Sequence, residues 1–166
     1  MQGNVKGQRV LRRLSKWAFI ACGIWLMVLG GYFIFARPSL LPEDLRYLGW
    51  SAVQVEAQSP HFASWLQNVF TVMGGFIAGF GVLIIFVSVS AVPQYLPGTG
   101  AVLGCAGLLT VATMSWTNFV LDSDFKWLLV IPAIVWLLGL VSFVAGGRAA
   151  RSIIALPRTD ADVRVE

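Results

Sequence analysis

Charge is what this sequence has least of. Asp, Glu, Lys and Arg make up 12% of it, about half the roughly 25% of an ordinary soluble protein. That is too little to coat a soluble surface, and apolar residues reach 57%. No Asp, Glu, Lys, Arg or His occurs in residues 17–36, 70–92, 100–120 or 127–147. A proton-coupled transporter needs an ionisable group at membrane depth, so this absence counts against one. It also counts against a haem held by paired histidines, since His61 is the single histidine. The two cysteines, Cys22 and Cys105, lie in separate apolar segments with no CxxC, which leaves thiol relays and zinc ribbons unsupported. There is no G-x-S-x-G, no glycine-rich phosphate loop and no H-E-x-x-H. The residues call for no cofactor and no metal.

What is present is four apolar segments, each long enough at ~1.5 Å per residue to cross a ~30 Å hydrocarbon core. The fold class expected is all-α, an integral membrane four-helix bundle over residues 1–156 with a short helical cap in its first outer loop. Residues 37–69 form that loop, and 157–166 are expected to be a disordered cytoplasmic tail. Residues 1–16 carry five cations (Lys6, Arg9, Arg12, Arg13, Lys16) and no acid. Ile34 stands where a signal-peptide cleavage site ending at Ala36 would need a small residue, so the first span reads as an uncleaved anchor. Counted over termini and loops, nine Lys and Arg fall on the terminal side and three on the other. By the positive-inside rule both termini are cytoplasmic, in a multi-pass plasma-membrane protein. Although the pI is about 9.5, the cations flank spans rather than alternate with stacking aromatics, so no nucleic-acid partner is expected.

The long polar interruption 37–69 has two helix-start patterns. Pro42 with Glu43 and Asp44 suits a first turn, and Gly49 is placed to end it. Ser59-Pro60 reads as a second start, with Phe62, Trp65, Leu66, Val69 and Phe70 on one face leading into span two. The segment 45–48 is expected to fold back over the outer end of span three near Asn118, with Arg46 in reach of Glu43, Asp122 or Asp124.

Several residues are candidates for chemistry or recognition. Thr113 and Thr117 share a stripe with Thr110, and Asn118 lies one turn before Asp122. Hydroxyls there can bond their own helix and the asparagine a neighbouring one; the alternative is a polar path for a small ligand, joined by His61 and Trp65. Gly75-x-x-x-Gly79 and Gly100-x-x-x-Gly104 have the spacing that lets helix backbones approach, within the bundle, in a homodimer or against lipid. Membrane lipid, other membrane subunits or a second copy are the partners implied.

The run LLPEDLRYLGW, followed by VMGGFIAGFGVL, resembles a pattern of small uncharacterised bacterial inner-membrane proteins with an LPEDLRYLG-type first outer loop. It covers residues 40–83. Some of those proteins carry His-Asp-Arg before the double glycine, where this chain has Leu66-Gln67-Asn68-Val69-Phe70. The resemblance implies the bacterial inner membrane and brings no activity with it. The leading expectation is a non-enzymatic accessory or scaffolding subunit. The alternatives are a small-molecule or lipid carrier with a cavity under the cap, and an enzyme using the outer carboxylates.

Overall fold

The computed structural model describes residues 2–154, and the expected tail at 157–166 lies outside them. Every regular element among the described residues is helical. Four helices are long and apolar enough to cross a membrane. They alternate in direction. Helix α1 (Gln2–Phe35) runs one way and α4 (Phe62–Ser90) returns. The third pass is α5 (Thr99–Gly107), a π turn (Leu108–Ala112) and α6 (Thr113–Val120), and α7 (Lys126–Ile154) is the fourth. Two short helices, α2 (Pro42–Leu48) and α3 (Ala52–Gln58), fill the connection between α1 and α4.

Helix α1 begins at Gln2, well ahead of the apolar segment, because nothing in the basic stretch breaks a helix. It stops before Pro38, whose ring disfavours helical geometry in the residue ahead of it. The amides of Ala36 and Arg37 both fall on the Tyr32 carbonyl, closing the last turn. Within α7, Pro132 is accommodated with its carbonyl accepting from the buried Cys22 thiol at 3.5 Å.

The most extensive contacts run as a row: α4 on α1, α1 on α7, and the third pass on α7. Trp136 of α7 ties the row together, edge-on to Phe19 of α1 at 5.2 Å and stacked on Phe80 of α4 at 6.4 Å. Around it lie Cys22, Leu26, Ile84, Leu103, Val111 and Phe143, all buried. The Trp136 indole donates to the Leu103 carbonyl at 2.9 Å and rests against Gly107. The π turn begins at the next residue, so the helix widens where a side chain has entered its hydrogen-bond ladder.

Tight approach of α1 to α4 depends on four glycines. A Cβ built on Gly30 would stand 2.5 Å from the Gly74 carbonyl oxygen, and one on Gly81 would stand 2.6 Å from that of Gly23. Gly75 and Gly79, by contrast, have nothing within 4 Å of a built Cβ. The sequence expectation put close approach on this pair; within the chain it belongs to Gly74 and Gly81 instead. Each residue is about 100° of helix rotation, so Gly75, one residue from Gly74, and Gly79, two from Gly81, are turned away from α1. Gly100 and Gly104 do face α7, where a Cβ built on each would stand 3.2 Å from Phe143 and 3.8 Å from Leu140.

Candidate functional site

The polar side chains gather at the end of the bundle where α1 hands over to α2 and the third pass to α7. Helix α2 forms there because Pro42 fixes its first turn and Asp44 reaches back to the Leu41 amide at 2.9 Å. Gly49 ends it at φ +68, a left-handed conformation that glycine adopts without strain.

Two sets of bonds anchor α2. On the α1 side, Arg37 is nearly buried and its guanidinium lies 3.6 Å from the Phe70 ring centroid and 5.3 Å from that of Phe33. It donates to Asp44 Oδ2 at 3.1 Å and to the Pro38 carbonyl at 2.9 Å. On the other side, the buried Glu43 accepts from the Ser123 hydroxyl at 3.3 Å. Ser123 Oγ accepts in turn from the Phe125 amide at 3.2 Å, and the Ser123 amide donates to the Asn118 carbonyl at 3.0 Å. Arg46 donates to Asp124 at 2.9 Å with both side chains more than half exposed. Of the three acids in reach of Arg46 by sequence, Asp124 is the one it pairs with. Such an exposed pair contributes little and is screened by salt.

Asp122 has a positive φ of 50° and pairs with Lys126 one turn on. The Lys126 hydrogen bond, and then its charge, hold the Asp122 carboxyl below the usual carboxylate range. The Asp124 bond, followed by its charge, raises the Arg46 guanidinium above its ordinary value.

The remaining candidates bond locally. Thr110 donates to the Ala106 carbonyl at 2.6 Å and Thr113 to that of Leu108, five residues back across the π turn, at 2.8 Å. The Asn118 amide donates to Met114 of its own helix at 2.9 Å, where a bond to a neighbouring helix was the expectation. Thr117 is exposed, and its carbonyl accepts from the Leu121 amide. Ser115, not singled out by sequence, is buried and reaches the Val111 and Leu129 carbonyls at 2.8 and 2.7 Å, linking α6 to α7.

His61 is the exposed residue preceding α4, and Trp65 is exposed with its ring 6.0 Å from Phe62. No hydrogen bond, ion pair or ring contact among the described residues joins either to Asn118, Thr117, Thr113 or Asp122. Helix α4 starts at Phe62, not at Pro60. Ser59 instead closes α3, its amide donating to the Val55 carbonyl at 3.0 Å, and His61 stands at the N-cap of α4 without a side-chain bond.

Helix α3 went unread by sequence, although its signal was there. Ser51 and Gln54 form a reciprocal capping box at 3.2 and 2.8 Å, the S-x-x-Q pattern. No group of three or more His, Cys, Asp or Glu among the described residues is arranged to hold a metal ion. Compared with known protein families, curated proteins and solved structures, the chain matches none of them.

Proposed function

We propose that this chain is a non-enzymatic accessory or scaffolding subunit of the bacterial inner membrane, with both termini cytoplasmic. In this reading α2 and α3 cap the outer end of the bundle and cover the Asn118 end of the third pass. The observation that carries it is how the charged groups at that end are used. Arg37 holds Asp44, Arg46 holds Asp124 and Lys126 holds Asp122, so the charges join α1, α2 and the turn before α7. Carboxylates engaged this way serve connection rather than turnover. Meanwhile large apolar side chains such as Phe76, Leu109 and Ile134 remain exposed along the helices, as a surface meeting lipid or partner helices requires.

Purification in mild detergent followed by mass spectrometry tests the reading. Stoichiometric co-elution of another integral membrane protein is the expected result. A monomer that elutes with one small organic molecule bound would replace it with the carrier reading. Orientation has its own test. Cysteine at the exposed Ser64 should react with an impermeant thiol reagent in intact cells, while cysteine at the exposed Gly7 should not. The reverse pattern would invert the topology.

A further inference from the structure

At the opposite end of the bundle, Arg9, Arg12, Arg13 and Lys16 recur at i, i+3, i+4 and i+7 along α1, which places them on one stripe. Arg12, Arg13 and Lys16 line a cleft of about 330 Å³, completed by Trp17 and Pro93. Pro93 belongs to a single 3-10 turn (Val92–Gln94) after α4, and α1 packs on that turn. Val92 beside it is fully buried, so the wall facing the cations is fixed in the core. The ion pairs among the described residues all lie at the far end of the molecule. Three basic side chains therefore border one cleft, and no ion pair among the described residues engages them.

We propose that this cleft binds the phosphate headgroup of an anionic phospholipid in the cytoplasmic leaflet. The chemistry fits on three counts. Two guanidinium forks and one ammonium suit phosphate oxygens, the forks by paired donation and the lysine as a point charge. Trp17 is 63% exposed beside the cleft, where an indole sits at headgroup level with its polar edge in water. The cytoplasmic leaflet supplies the anionic lipid, and its field draws basic side chains to it. A single phosphodiester leaves part of the three charges uncompensated. The cleft accordingly holds a two-phosphate lipid such as diphosphatidylglycerol above phosphatidylglycerol, and both above zwitterionic phosphatidylethanolamine.

The inference rests on the membrane-spanning reading of the four helices, and the test keeps the two apart. The full chain, reconstituted in nanodiscs of stated composition, is compared with two triple variants. One is Arg12→Gln/Arg13→Gln/Lys16→Gln; the other, Lys6→Gln/Arg9→Gln/Arg148→Gln, removes the same charge outside the cleft. Retained lipid is counted by native mass spectrometry. The cleft variant should lose diphosphatidylglycerol about tenfold more than the control, because paired donation to phosphate at the cleft adds to the surface attraction that both variants lose equally. Equal loss in both variants would show a diffuse basic surface and overturn the site. Displacement of the lipid by millimolar inorganic phosphate would also overturn it, since the ligand would then be a soluble phosphate. Carbonate washing of membranes from the same cells reports on insertion alone. Protein released by the wash would sink the membrane reading, whereas retained protein with unchanged lipid counts would sink only the headgroup site.

Discussion

Gly30→Leu should cost the protein about 3 kcal/mol or more and separate α1 from α4, while Gly79→Ala should leave stability unchanged or slightly raised. The sign of the contrast is the point. In an isolated helix, replacing glycine adds up to ~1 kcal/mol of helix propensity at either position. At Gly79 nothing opposes that gain, because a Cβ there meets open space. At Gly30 even the first carbon collides with the Gly74 carbonyl oxygen at 2.5 Å and the Ala78 amide at 2.6 Å. Those are backbone atoms, which cannot swing aside as the end of a flexible side chain can. The helices must move apart, and overpacking of this kind costs about 1–3 kcal/mol, more when the inserted group is large. The separation also loosens Phe19 and Cys22, which α1 contributes to the cluster around Trp136. Thermal unfolding in mild detergent, followed by reaction of the buried Cys22 with a thiol dye, reads the difference. Gly30→Leu and Gly79→Ala melting together would mean the α1–α4 contact is not what holds the bundle.

That contrast also shows where sequence reasoning reached and where it stopped. The four long apolar helices were legible because each contains a long run without a charged side chain. The glycine face was not. Gly75-x-x-x-Gly79 has a familiar spacing, but the partner surfaces pair Gly23 and Gly30 with Gly81 and Gly74, each pair seven residues apart. Seven residues make nearly two full turns, so the pattern was present in both helices. Recognising it needed the two helices compared as antiparallel partners, which no single-helix motif supplies. The start of α2 was legible for a different reason: Pro42, Glu43, Asp44 and Gly49 act within a few residues of one another. Ser59 misled because a serine before a proline looks the same whether it caps the helix ahead or closes the one behind. Arg37 was the largest omission. Its position over Phe70 joins residues 33 apart in sequence, invisible to any local pattern.

Arg37→Ala should therefore destabilise the loop end far more than loss of an ordinary surface cation. Truncation removes the ring contacts to Phe70 and Phe33 and leaves Asp44 without its guanidinium in a site only 23% exposed. Breaking a buried pair from one side costs about 3–5 kcal/mol, and the partial exposure of Asp44 puts this case near or below the lower figure. Arg37→Lys should recover only part of the loss, because an ammonium cannot both lie flat on Phe70 and donate to Asp44 and Pro38. Arg37→Ala/Asp44→Asn should be less damaged than the two single losses added together, since no carboxylate is then stranded. Trypsin cutting at Arg46 gives a local readout, as that residue is exposed yet lies inside α2. In the native protein the helix must open before the protease can engage it, so cutting should be slow. With Arg37→Ala, the side-chain hydrogen bonds that α2 keeps to other elements among the described residues are those to Ser123 and Asp124, and cutting should accelerate by up to about tenfold for each ~1.4 kcal/mol of anchoring lost. Unchanged cutting in Arg37→Ala would mean that the guanidinium does not anchor α2 and that the Glu43–Ser123 contact suffices to hold it in place.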